Sequence, residues 1–140
     1  MLAEQNKALV RRYFEALDNR DPDGVAAVFS PACVIHRPDV ATPLVGHEAQ
    51  RRFLSAFWSL YSEFSSTIES MVADDATVAV RLSHQAVHRT DWTGRAGMVT
   101  SAGRPGIWPA MAFFRIDNDK IVEQWVIRDE LGMLLQLRGS

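Results

Sequence analysis

The sequence has one cysteine, Cys33, so no disulfide can form within the chain, and a reducing cytoplasm is its expected home. It has no run approaching the ~20 consecutive apolar residues of a membrane span. Its opening, Met1-Leu-Ala-Glu-Gln-Asn-Lys7, places charge and amide groups where a secretion signal needs an unbroken apolar stretch. Charge of one sign does not accumulate either. Fifteen Lys and Arg against seventeen Asp and Glu leave a formal charge of -2, which argues against the basic footprint of a nucleic-acid-binding face. No glycine-rich phosphate loop, nucleophile elbow or Cys–His pattern occurs. The four histidines stand at no zinc-binding spacing, so no metal is expected, and no organic cofactor is implied.

What is present is ordinary globular material. With 140 residues, 47% hydrophobic and 23% charged, the chain matches one soluble domain spanning residues 1–140, too short for two well-built cores. From Glu4 to about Asn19, Leu9, Tyr13 and Leu17 recur every four residues, with Val10 and Phe14 widening the stripe, which predicts an amphipathic helix. Asp21-Pro-Asp-Gly24 breaks it, and Asp23 is expected to cap a short helix that Ser30-Pro31 ends. Cys33 to His36 reads as a strand and Arg37 to Gly46 as a loop near a cavity mouth. Phe53 and Phe57, continued by Tyr61, predict a helix from about Glu48 to Leu60 with a wide aromatic face.

Strands follow. Thr67–Ala73 and Thr77–His88 flank a turn at Asp74-Asp75, and alternation in the second puts Val78, Val80, Leu82, His84, Ala86 and His88 on one face. Asp91 to Gly106 reads as a loop-rich link. Ile107–Ile116 and Ile121 to about Asp129 form a final hairpin around Asp117-Asn-Asp-Lys120, and a Leu-rich end suggests a short helix. Helices first and strands later imply α+β packing, with a strongly curved antiparallel sheet wrapped against N-terminal helices around an apolar pocket.

The segment Lys120-Ile-Val-Glu-Gln-Trp-Val-Ile-Arg-Asp-Glu-Leu-Gly-Met-Leu-Leu-Gln-Leu137, with Ser101-Ala-Gly-Arg-Pro105 upstream and Phe29-Ser-Pro-Ala-Cys-Val-Ile-His36 after the first helices, resembles the SnoaL-like polyketide cyclases of the nuclear-transport-factor-two-like superfamily. The resemblance covers essentially the whole chain. It implies a cone-shaped α+β domain (a cystatin-like roll), dimeric through its sheet, with an interior pocket for a small apolar molecule. Relatives of that kind include cyclases that close rings by aldol condensation, isomerases and epoxide hydrolases.

The resemblance gives Asp129 the role of a base that removes a proton from carbon flanked by carbonyls. Strand parity supports a cavity position for it: Ile121, Glu123, Trp125, Ile127 and Asp129 alternate alike, so Asp129 follows wherever Trp125 points. The competing reading is that Asp129 caps the helix starting near Glu130. His88 and His84 are candidates to stabilise or reprotonate an enolate, though either could instead be a satisfied core histidine. They stand four residues apart on one strand, ~13 Å between Cα atoms, and so are no chelating pair. The cyclases carry a histidine on the strand placed at Ile107–Ile116; this sequence has none there, which leaves His84, His88 or Arg115 as its substitute.

Tyr13, Phe57, Trp108, Phe113 and Trp125 form the expected substrate-binding wall, with His36 and Arg115 as polar contributors. Epoxide hydrolysis would need Asp129 and Glu123 or Asp91 to converge with Arg115 around a water. The expected function is therefore cofactor-independent acid–base chemistry, of the aldol cyclisation or isomerisation type, on a small apolar carbonyl compound. The alternatives are a non-catalytic binding domain and an epoxide hydrolase-like enzyme.

Overall fold

In the computed structural model, which describes residues 1–95 and 97–138, the N-terminal apolar stripe becomes the buried face of α1 (Leu2–Asp18): Leu9, Val10, Tyr13, Phe14 and Leu17 all turn inward. Arg20, at a left-handed φ of 54°, ends it. Its guanidinium donates to the carbonyls of Trp58 and Tyr61, at 2.9 and 2.7 Å. Asp21, rather than Asp23, caps α2 (Pro22–Val28) by accepting the Gly24 N–H at 3.0 Å. Pro22 then occupies the first turn, where a missing N–H forfeits no helical bond.

β1 (Phe29–His36) starts at once, because a bulge between Phe29 and Val34 absorbs Pro31 instead of ending the element there. β2 (Leu44–Val45) and α3 (Gly46–Ser59) follow. β3 (Tyr61–Ala73) begins six residues before the expected Thr67. Tyr61 keeps the helical spacing of Phe53 and Phe57, yet it opens the strand, since its backbone pairs with His88 and its carbonyl is held by Arg20. β4 (Thr77–His88) has the expected bounds. The link after it contains a small antiparallel ribbon, β5 (Trp92–Gly94) with β6 (Gly97–Val99). β7 (Pro105–Asp117), β8 (Lys120–Arg128) and α4 (Glu130–Leu137) complete the chain. Asn118 and Asp119, both at positive φ, make the tight β7–β8 turn.

The main sheet has the order β2-β1-β8-β7-β4-β3. All its pairs are antiparallel except β1 with β8, which run parallel, so the sheet is mixed and not wholly antiparallel as expected. α1 lies over β3 and β4, α3 over β1 and β2, and α4 against β7, giving the cone-like α+β architecture. No helix among the described residues is long and apolar enough to cross a membrane.

One irregularity decides which side chains face the interior. The β7–β8 ladder pairs Arg115 with Glu123 but Ile116 with Ile121, which leaves Val122 as an extra residue. A one-residue slip exchanges the two faces of everything beyond it. Ile121 therefore points inward, and so do Gln124, Val126, Arg128 and Glu130, while Trp125, Ile127 and Asp129 point out. On β7 the inner face reads Trp108, Ala110, Ala112, Phe114. The two alanines leave room that larger side chains would fill, which is where the interior opens.

Candidate functional site

A fully buried Leu or Phe contributes roughly 1.5–3 kcal/mol to a core such as this one, so buried polar groups call for a reason. They are few, and three of them, Gln50, His84 and Gln124, line the same cavity between α1, α3 and the inner sheet face. Its deeper wall is apolar, with Phe14, Leu17, Ile35, Leu54, Phe57, Leu82 and Val126. Tyr13 adds a phenol to which Gln124 Nε2 donates at 3.5 Å. Burial raises the Tyr13 pKa, so its hydroxyl stays protonated.

The mouth is charged. Arg37, Arg95 and Arg128 line it with Asp39 and Glu130, and the β5–β6 ribbon reaches across it through Arg95, which donates to Glu130 Oε1 and to the Pro38 carbonyl at 3.1 Å. Arg37 grips Asp39 with two bonds of 2.9 Å while its guanidinium lies 4.7 Å over the Phe53 ring. Burial pushes the Asp39 carboxyl up, but the Arg37 hydrogen bonds and charge, aided by Arg128, outweigh it and hold the group below the usual carboxylate range.

His84 connects the cavity to α1. Its Nδ1 lies 3.0 Å from Ser66 Oγ, which stands 2.8 Å from Asp18 Oδ1, and the Ser66 N–H donates to Asp18 Oδ2 at 2.9 Å. With Asp18 ionised, the single Ser66 proton goes to the carboxylate and Oγ accepts from His84 Nδ1–H. Nε2 is then the unprotonated nitrogen. Desolvation, with the charges of Arg128 and Arg37, pushes the His84 pKa down to about 4, so the ring is neutral near pH 7. Burial raises the Asp18 pKa, and the two Ser66 bonds partly offset this.

Several expected residues stand elsewhere. Asp129 is exposed and caps α4, accepting the Gly132 N–H at 2.9 Å; the slip at Val122 turned it out, and the cap took it. Trp125 and Phe113 form an edge-to-face pair on the outer sheet face, with ring centroids 5.7 Å apart. His36 stacks on Trp125 at 5.0 Å and sits 2.7 Å from Glu123, which Arg115 also holds, so His36 and Arg115 do not reach the cavity. Those partners keep Glu123 below its usual range, His36 having the larger effect. Asp91 is occupied by the Ser101 and Ala102 N–H groups. The carboxylates expected to converge for epoxide chemistry thus stand apart. Tyr13, Phe57, His84 and Trp108 do line the cavity, whereas His88 is buried behind it.

Arg37, Asp39, Arg128, Glu130, Asp18 and Ser66 are functional candidates that sequence reasoning passed over. Charged pairs spaced two apart, Arg37-Pro-Asp39 and Arg128-Asp-Glu130, were the available signal. Reading it required knowing where β8 slips.

The sequence model of the SnoaL-like polyketide cyclase family matches residues 7–137. No curated protein matches the sequence significantly. Among solved structures, IdmH of Streptomyces antibioticus, a proposed polyketide cyclase, is 24% identical with a TM-score of 0.81 over 94% of this chain and 96% of that one. A proposed SnoaL-like polyketide cyclase of Jannaschia sp. CCS1 is 15% identical, with a TM-score of 0.83 over 99% and 95%. An LEH-like epoxide hydrolase of M. tuberculosis is 17% identical, with a TM-score of 0.74 over 96% and 92%. At such identities the likeness speaks for the fold and leaves the reaction open.

Proposed function

The chain belongs to the SnoaL-like polyketide cyclase family, and from that premise we propose that it performs cofactor-independent acid–base chemistry on a small, largely apolar carbonyl compound bound in the cavity. The observation that carries this reading is the Asp18–Ser66–His84 chain, which ends on a cavity whose remaining wall is mostly apolar. His84 Nε2 takes a proton from carbon beside a carbonyl. The enolate so formed attacks a second carbonyl, which closes a ring whose new alkoxide takes the proton back from His84, or regains the proton at another carbon, which isomerises the compound. A histidine depressed to about 4 is a weak base while the cavity is apolar. As the enolate develops, its negative charge stabilises the imidazolium beside it, and Ser66 holds the ring in place. The role expected of Asp129 passes to His84 in this reading, because Asp129 is a solvated helix cap.

The test is exchange of the α-protons of β-tetralone into deuterated water, followed by NMR. His84→Gln should slow the protein-catalysed exchange by roughly a hundredfold or more. Exchange at the native rate in this variant would end the proposal, and binding without any exchange would favour a non-catalytic ligand-holding domain.

A second reading, epoxide opening, draws on Arg128 Nη2 standing between Asp39 and Glu130, at 3.7 and 3.6 Å. One carboxylate would activate water and the other, protonated, would donate to the epoxide oxygen. Arg37 and Arg128 keep Asp39 ionised, which suits it to activate the water. Conversion of cyclohexene oxide to its diol, abolished in Glu130→Gln, would favour this reading over the first.

We also propose a homodimer formed through the sheet. Met111, Phe113, Trp125 and Ile127 are adjacent on the outer faces of β7 and β8 and between 37% and 64% exposed. Beside them Glu123 is held by both His36 and Arg115, so this apolar patch suits a second copy of itself.

A further inference from the structure

In and behind the cavity wall, five side-chain polar atoms are buried and have no hydrogen-bond partner among the described residues: Tyr61 Oη, both ring nitrogens of His88, Trp108 Nε1 and Arg128 Nε. They belong to four neighbouring residues. The His88 ring lies 4.9 Å from that of Tyr61, and Trp108 is 6.1 Å from each. The Arg128 guanidinium faces the Tyr61 phenol and bears on His88 through its charge. Tyr61 is 0% exposed, and His88 and Trp108 are each 1% exposed. An unpaired buried polar group is destabilising by roughly 1–3 kcal/mol, and folded proteins leave few of them. Such a concentration at one place marks groups kept for a partner outside the fold.

The chemistry of the set says what that partner is. Trp108 Nε1–H and Arg128 Nε–H can only donate; Tyr61 Oη–H and one nitrogen of neutral His88 can donate as well. Two of the four residues, Trp108 and Arg128, also line the cavity, and the Trp108 ring lies 6.1 Å from that of His84. Both rings therefore stand on one cavity, where a C–C=O unit can set its carbon against a base and its oxygen against a donor. We propose that Trp108 and Arg128, with Tyr61 and His88 behind them, form a subsite whose N–H groups donate to the carbonyl oxygen of the bound compound. It strengthens its hold as that oxygen becomes an enolate. This rests on the reading of His84 as the base, and it makes the substrate an enolisable ketone rather than any apolar guest of the same shape.

The test compares β-tetralone with its hydrocarbon counterpart tetralin, using the full chain. Binding is followed by titration, and the indole N–H of Trp108 by NMR, assigned with Trp108→Phe. The ketone, and not tetralin, should move the Trp108 N–H downfield. Trp108→Phe should weaken ketone binding by roughly tenfold and leave tetralin binding alone. Tyr61→Phe should raise the melting temperature of the ligand-free protein, because it deletes an unsatisfied hydroxyl. A lower melting temperature in Tyr61→Phe, with both compounds bound by Trp108→Phe as by the native protein, would mean a structural cluster and overturn the subsite. Equal loss of both compounds would overturn it too. If the ketone contacts Trp108 as expected but His84→Gln leaves proton exchange intact, the base assignment fails while the subsite stands. If neither compound binds the native protein, both fail.

Discussion

Asp39 and Glu130, carried by the loop after β1 and by the start of α4, face one guanidinium: Arg128 Nη2 lies 3.7 Å from an oxygen of the first and 3.6 Å from one of the second. Arg37 and Arg95 hold the two carboxylates from their far sides. The mouth of the cavity is therefore a run of alternating charges in which Arg128 is the shared element.

Removing that element should be felt through the charges it leaves. In Arg128→Met, two half-buried carboxylates would confront each other, and stability at neutral pH should fall by roughly 1–3 kcal/mol. Thermal unfolding checks this, and the deficit should shrink in acid, where the carboxyls protonate. An equal deficit at all pH values would show that lost packing of the side chain, not charge, is responsible.

Acid should destabilise the native protein in a definite window. His84 takes its proton near 6.5 in the unfolded chain but only near about 4 in the folded one. Between those values the unfolded state binds more protons, so stability is complete above the upper value and is lost as pH falls toward the lower, by up to roughly 3 kcal/mol. Denaturant titrations across this range should show that slope. His84→Gln should flatten it without abolishing it, since burial lowers the His88 pKa in the same sense.

Asp129 should matter to stability and not to chemistry. Asp129→Ala deletes the acceptor for the Gly132 N–H and should cost about 1 kcal/mol, with tetralone exchange unchanged. Melting curves and exchange rates measured on one preparation would decide it. A loss of exchange without loss of stability would return Asp129 to the active site.

The outer sheet face offers a test of assembly. Met111 and Ile127 are direct cross-strand neighbours, 63% and 64% exposed. Ile127→Lys should convert a dimer to a monomer in sedimentation at micromolar concentration, with the fold retained by circular dichroism, because a buried unpaired ammonium opposes association. A native protein that sediments as a monomer would dismiss the proposed contact.

Much of the architecture was legible in the residues, because local patterns answer to local physics. The four-residue spacing of Leu9, Tyr13 and Leu17 needs only a helix with one buried face, and it formed one. The alternation from Val78 to His88 put both histidines inside, as a regular strand must. Phe53 and Phe57 read correctly as helical, but Tyr61 at the same spacing did not continue the helix, since Arg20, forty-one positions away, holds its carbonyl.

The candidate site was far less legible, for one reason that can be located. The residues of β8 suggest unbroken alternation, and a single extra residue at Val122 reverses it. That slip sends Trp125 and Asp129 outward and brings Arg128 and Glu130 to the cavity, and no property of residues 120–130 taken alone reveals it. The sequence by itself determined the helices, most of the strands, the apolar interior and the supply of histidines and carboxylates. Only the tertiary structure decided which of these meet. A bulge forms where two strands of different curvature must stay paired, and Asp18, Ser66 and His84 come together only when α1 packs over β3 and β4.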